Sequence, residues 1–148
     1  MIRQLAHVCF YTDKMEEMRR FYTDTLGLRF HFAMKNPEGK TFGVYLSAGA
    51  NTFIEIFDRA GAQAMWGGDD KRIERGTSIK HLCFEVSGLD EYRNHLLSKG
   101  LSVTEPRGGM EGARQAWTAD PDGTPIELME YNFQSWQLRA PQEEEKRN

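Results

Sequence analysis

This chain of 148 residues has little of three things, and each shortage excludes a class of function. It has no basic excess: 19 Lys and Arg against 22 Asp and Glu leave a net charge of −3, which argues against an electrostatic nucleic-acid binder. It has no apolar run approaching the roughly 18–20 residues of a membrane-spanning helix. Its opening, Met1-Ile2-Arg3-Gln4, lacks the apolar stretch of a secretory signal. It has only two cysteines, Cys9 and Cys83, too far apart in sequence for a CxxC motif and too few for a disulfide framework. These absences predict a soluble cytoplasmic protein with no membrane or nucleic-acid partner. Core-forming residues are well represented: 39% of the chain is hydrophobic, including nine Phe, five Tyr and three Trp. The length fits one compact domain of the usual roughly 100–200 residues.

That domain is written twice. His7-Val8-Cys9-Phe10 returns as His81-Leu82-Cys83-Phe84, an offset of 74 (7 to 81). Leu26-Gly27-Leu28 returns as Lys99-Gly100-Leu101, an offset of 73 (27 to 100), and Glu55 returns as Glu127, an offset of 72 (55 to 127). Three offsets agreeing so closely indicate two diverged copies of one unit of about seventy residues. The predicted fold class is α+β, built from two βαβββ modules. Module 1 spans 1–57, a connecting loop 58–78, module 2 79–131 and a charged tail 132–148.

Local signals support that unit. Leu5–Thr12 reads as a strand, followed by a helix to about Leu26, with Met15, Met18, Tyr22 and Leu26 at helical spacing. Asp13 and Glu16 have capping-box spacing, and Gly27 stands where a left-handed C-cap belongs. Leu28, Phe30, Phe32 and Met34 alternate with Arg29, His31, Ala33 and Lys35, predicting a half-buried strand with His31 on its polar face. Strands Thr41–Ser47 and Thr52–Phe57 complete the first copy. In the second, strand Ile79–Val86 leads to a helix from Leu89 to Lys99 capped by Ser87. Strands Leu101–Glu105, Ala113–Ala119 and Pro125–Tyr131 follow, the last two joined by the turn Asp120-Pro121-Asp122-Gly123. The polar stretch Asp58–Thr77 between the copies reads as a long loop.

Chemistry gathers at the equivalent positions. Strand alternation puts His7, Cys9 and Tyr11 on one face and His81, Cys83 and Glu85 on another. Glu55 is flanked by Ile54 and Ile56, and Glu127 by Ile126 and Leu128, so both carboxylates turn away from the apolar face. Burying an ionised Glu in such a strand is costly unless something compensates it. Either histidine alone would read as an ordinary hydrogen-bonded side chain. Two imidazoles and two carboxylates at matching repeat positions predict a shared divalent cation at His7, Glu55, His81 and Glu127, of the Zn, Ni, Co, Mn or Fe(II) kind. The cysteines read as small cavity-lining side chains, and His31 and His95, on polar faces, receive no role.

Taken together, His7 with the Phe10–Thr12 strand, Phe21-Tyr22 with Leu26-Gly27-Leu28, Glu55, His81, Asp120-Pro121-Asp122-Gly123 and Glu127 resemble the vicinal oxygen chelate superfamily. Within it the pattern is most similar to glyoxalase I (lactoylglutathione lyase), and it covers about residues 5–131. The resemblance implies that the mixed sheet of the two modules curls around a metal cleft, and a homodimer whose clefts are built from modules of both chains. It implies a carbon–sulfur lyase or isomerase acting on a small-molecule substrate, moving a proton through a metal-stabilised enediolate, with Glu127 or Glu55 as the catalytic base. At two places the chain departs from glyoxalase I. Tyr11 stands where that enzyme carries a glutathione-gripping Arg, and Asp58 and Arg59 stand near where a glutathione-contacting Asn is expected. Arg59, Arg72, Arg75 and Arg107 are the alternative anion-binding side chains. The resemblance therefore implies the metal chemistry more strongly than it implies glutathione. The alternatives are an epimerase or dioxygenase of the same superfamily, or a metal-free small-molecule-binding or resistance protein.

Overall fold

The computed structural model describes residues 5–50, 52–67, 81–110 and 112–138. It is α+β, with two four-stranded mixed sheets and few helices. The described residues divide into two compact units, one drawn from 1–80 with 119–124, the other from 81–118 with 125–148.

In the first unit, β1 (His7–Thr12) lies parallel to β4 (Phe53–Asp58), and β3 (Thr41–Ser47) and β2 (Arg29–Lys35) continue the sheet antiparallel, in the order β1-β4-β3-β2. Along β1, His7, Cys9 and Tyr11 are more exposed than Val8 and Phe10, as the alternation predicts. The helix follows as α1 (Met15–Arg20), then widens into a π-turn over Phe21–Thr25. Its predicted inner side chains Met18, Tyr22 and Leu26 are buried with Val44, Leu46, Ile54 and Ile56. The amide of Leu26 donates to the Phe21 carbonyl, and Gly27, at φ +81°, ends the turn with a geometry that costs glycine nothing.

The predicted capping box does not form. The Thr12 hydroxyl accepts from the Lys14 amide instead, and Glu16 turns along the helix to Arg19 (2.6 Å) and Arg20 (3.0 Å). Two charge-assisted bonds outweigh one to a backbone amide, and they hold the Glu16 carboxyl down at about 2. The predicted connecting loop is also different, since its first part is the helix α2 (Arg59–Trp66). Asp58, in extended backbone, accepts from the Gly61 amide at 2.7 Å and starts it, and alanines at 60, 62 and 64 favour it. Residues 68–77 of that segment lie outside the described residues. Helix α2 packs on the sheet through Ala62 and Trp66, whose ring meets Phe42 and Phe57 edge-on at 5.3 and 5.0 Å. Gly43 is required here because the Phe57 ring lies across it, and any Cβ would collide with that ring.

The second unit orders its strands β5-β8-β7-β6: β5 (Leu82–Glu85) parallel to β8 (Pro125–Glu130), then β7 (Arg114–Ala119) and the two-residue β6 (Arg107–Gly108). Its helix α3 (Leu89–Ser98) buries Leu89 and Leu96, and Ile126 and Leu128 are buried on β8. Ser87 does not cap it: the residue before the helix is Gly88 at φ +66°, and the Glu130 carboxylate accepts from the Leu89 amide at 3.0 Å. The predicted strand Leu101–Glu105 is irregular. The Thr104 amide donates to the Trp117 carbonyl at 3.0 Å, but the Thr104 carbonyl is taken by Arg93 and the Trp117 amide bonds the Thr104 hydroxyl at 2.9 Å, so the ladder is only half formed.

The turn Asp120–Gly123 is anchored in the first unit. The buried Tyr22 hydroxyl donates to Asp120 at 3.0 Å, and the other carboxylate oxygen accepts from the Thr124 amide at 2.8 Å. Burial pushes both groups up, the phenol well above its ordinary range, and the Tyr22 bond works against that push on Asp120. Tyr22→Phe is expected to destabilise the protein by about 1–3 kcal/mol in urea unfolding, the cost of an unsatisfied buried group. Because the lost bond favoured ionised Asp120, the deficit should grow as pH rises through the Asp120 titration. Gly43→Ala should cost about 1–3 kcal/mol by overpacking, and the double variant with Phe57→Leu should recover part of it.

Candidate functional site

Each unit places one buried carboxylate against one exposed imidazole. Parallel pairing sets Cys9 opposite Glu55 and His7 two pairs earlier, opposite Phe53. Glu55 therefore shares the face of His7 and Cys9, and its carboxylate lies 3.5 Å from the His7 Nε2. In the second unit Cys83 is opposite Glu127, and His81, just before β5, brings its Nε2 to 3.2 Å from the Glu127 carboxylate. The Glu55 and Glu127 side chains are 10% and 8% exposed, against 44% and 36% for the two imidazole side chains. These carboxylates thus sit at the floor of each face with the histidines above them.

The neighbours of the two carboxylates differ. Tyr45, opposite Glu55 across β3 and β4, hydrogen-bonds it, and that bond, together with desolvation, pushes the phenol up to about 12. The Cys9 thiol also turns to Glu55, and desolvation together with that hydrogen bond and charge pushes it up to about 12. The Tyr45 ring meets His7 edge-on at 5.9 Å. In the second unit Trp117 occupies the matching position, an offset of 72 (45 to 117), and meets His81 edge-on at 4.9 Å. It has a ring but no hydroxyl to offer Glu127. Sequence reading passed over both aromatics, although the same repeat that exposed the ligands also aligns them.

His31 is exposed, as its polar face predicts, but it lies among rings. A bulge in the β2–β3 pairing between Phe30 and Phe32 breaks the alternation there. The His31 ring packs at 5.0 Å on Phe53, beside His7, and at 5.4 Å on Phe32. Phe30 and Phe32, expected to be half-buried, are 52% and 42% exposed. His95 lies along α3 and stacks on Tyr92. Neither Cys9 nor Cys83 is in a disulfide among the described residues.

Among the alternative anion-binding side chains, Arg59 is committed elsewhere: it lies 3.3 Å from Asp13 and donates to the Tyr11 carbonyl at 2.9 Å. Arg107 is exposed on β6, and Arg72 and Arg75 lie outside the described residues. Among the described residues the candidate ligands come as two pairs, and no group of three or more His, Cys, Asp or Glu side chains gathers to hold an ion. None of the described helices is long and apolar enough to cross a membrane.

The doubled βαβββ-like unit and its paired His and Glu side chains define a recognisable class. The family model of the Glyoxalase/Bleomycin resistance protein/Dioxygenase superfamily matches residues 4–128, and the chain belongs to that superfamily. Among its relatives, lactoylglutathione lyase of Escherichia coli O157:H7 is 28% identical over 129 residues, 86% of this chain and 92% of that one. A superfamily member from Sphaerobacter thermophilus DSM 20745 superposes with a TM-score of 0.67 at 24% identity, covering 88% of this chain and 98% of the other. TnmS3, an antibiotic-binding protein from Streptomyces sp. CB03234, has the same fold, with a TM-score of 0.68 at 20% identity and the same coverage of both chains.

Proposed function

We propose that this protein is a metal-dependent lyase or isomerase of the glyoxalase type, a homodimer that moves a proton between adjacent carbons of a small oxygenated substrate. One observation carries this: the same arrangement, a buried strand carboxylate under an exposed imidazole, occurs at equivalent positions of both units. Two imidazole nitrogens and two carboxylates suit a divalent cation of the Zn, Ni, Co, Mn or Fe(II) kind, with positions left for substrate oxygens. His7, Glu55, His81 and Glu127 would hold it. When bound, such an ion supplies Lewis-acid polarisation of the oxygen next to the reacting carbon.

The unequal surroundings divide the work of the two carboxylates. Glu55 is bonded by the Tyr45 hydroxyl, which suits a fixed ligand. Glu127, with Trp117 at the matching position, is the better base, taking the proton from one carbon and returning it to the next. The E. coli relative named lactoylglutathione lyase supports the reaction class. Tyr11 and the committed Arg59 speak against a grip on the glutathione carboxylates, so the thiol partner is not carried over. The second reading, a metal-free small-molecule binder, is favoured by the exposed aromatic side chains beside His7.

Metal uptake separates the two. Chelator-stripped protein should regain bound Ni or Zn in a calorimetric titration, and His7→Ala or His81→Ala should weaken that uptake by well over about tenfold. A chain that takes up no divalent ion refutes the enzyme assignment. With methylglyoxal and glutathione as the first assay, Glu127→Gln should lower turnover by about 10²–10⁴-fold, while His95→Gln leaves turnover and metal uptake unchanged. No turnover with any added ion would remove the glyoxalase label while leaving the donor set to be tested by the titration.

A further inference from the structure

We propose that the first unit's sheet face beside His7 and Glu55 is a platform for a planar aromatic ring of the ligand, built from His31, Phe32, Tyr45 and Phe53. This rests on the assignment of His7 and Glu55 as donors to a divalent ion, and it adds the class of molecule those donors serve. The four rings are contiguous. Phe32 stacks on Tyr45 with centroids 4.4 Å apart and planes 18° from parallel, Phe53 meets Tyr45 edge-on at 5.9 Å, and His31 tilts against Phe53 at 5.0 Å and Phe32 at 5.4 Å. Tyr45 joins the group to the donors, since its ring touches His7 and its hydroxyl bonds Glu55.

Three features assign this surface to a small ring-bearing ligand. Phe32 lies mid-strand yet is 42% exposed, an apolar ring left in water next to polar donors. The bulge between Phe30 and Phe32 comes with the exposed His31 ring lying against Phe53 and Phe32, a further ring in this group, at the cost of regular pairing. Rings held in stacked and edge-on contact present both faces and edges to a planar guest, the geometry that aromatic pairs prefer. The platform is particular to this unit: at the position matching Phe53 the second unit carries Pro125, and Trp117, which matches Tyr45, is bonded across to Thr104 where the first unit has Phe32. Continuity with His7 and Glu55 fixes which end of the guest lies where, with its ring on Phe32 and its adjacent oxygens toward the donors.

Mandelate and lactate test this, because both carry a hydroxyl beside a carboxylate and differ only in phenyl for methyl. Nickel-loaded protein should bind mandelate at least about tenfold tighter than lactate by calorimetry. Phe32→Ala should bring the two within about threefold while leaving lactate binding unchanged, and Phe32→Tyr should keep the preference. Circular dichroism and sedimentation of each variant accompany the titrations. Equal affinities in the parent protein, or a preference that survives both Phe32→Ala and Phe53→Ala, overturn the proposal. So does a dimer that becomes a monomer in Phe32→Ala, which would make this face a subunit interface. Nickel uptake is measured separately, so a failed donor set shows as no bound nickel. In that event saturation transfer from the metal-free protein to the mandelate phenyl protons, lost in Phe32→Ala, still decides the platform on its own.

Discussion

A carboxylate on the middle of a buried strand is the constraint from which the arrangement of each unit follows. Glu55 sits between Ile54 and Ile56, and Glu127 between Ile126 and Leu128, with all six side chains largely removed from water. The apolar neighbours belong to the helix-covered side, so each carboxylate must find compensation on the other face, where an unpaired charge would cost several kcal/mol. Parallel pairing of the first strand of each unit with the last supplies it by bringing an imidazole to 3.5 Å in one unit and 3.2 Å in the other. An antiparallel pairing could be closed by a short hairpin, whereas the parallel one needs a crossover, which the helix and two intervening strands provide. The βαβββ order is thus the chain path that sets this His beside this Glu.

Duplication then allowed the two copies to diverge around a shared core of chemistry. The His and the Glu persist in both, while the aromatic that leans on the imidazole is Tyr45 in one and Trp117 in the other. That single exchange makes the carboxylates unequal, because a phenol can bond a carboxylate and also lean on an imidazole, whereas Trp117 offers no hydroxyl at this position.

Much of this was legible in the sequence, for a physical reason. Strand alternation and the repeat offsets are properties of short, regular segments, and they placed His7, Glu55, His81 and Glu127 on the faces where they lie. What escaped the sequence depended on competition between bonds. Glu16 was expected at an amide and went to two arginines, Ser87 was expected as a cap and Glu130 took its place, and Thr104 surrendered its carbonyl to Arg93. Each outcome turns on side chains distant in sequence or on a choice among near-equal partners. The bulge at His31 is similar: alternation is a reliable guide only while the register holds, and there the exposed imidazole lies against Phe53.

The same distinction separates what the family shares from what this chain does with it. His7, Glu55, His81 and Glu127 are placed by strand register, which a shared fold preserves at 24–28% identity, and the proposed metal chemistry rests on that register. Substrate walls are single side chains next to those donors, replaceable without disturbing the register. Tyr11, the committed Arg59 and the exposed Phe32 are choices of that second kind, and they lean together away from an anionic tail and toward a flat apolar group. A fold that fixes its ligands through backbone pairing and its specificity through exposed side chains can change substrates without rebuilding its centre.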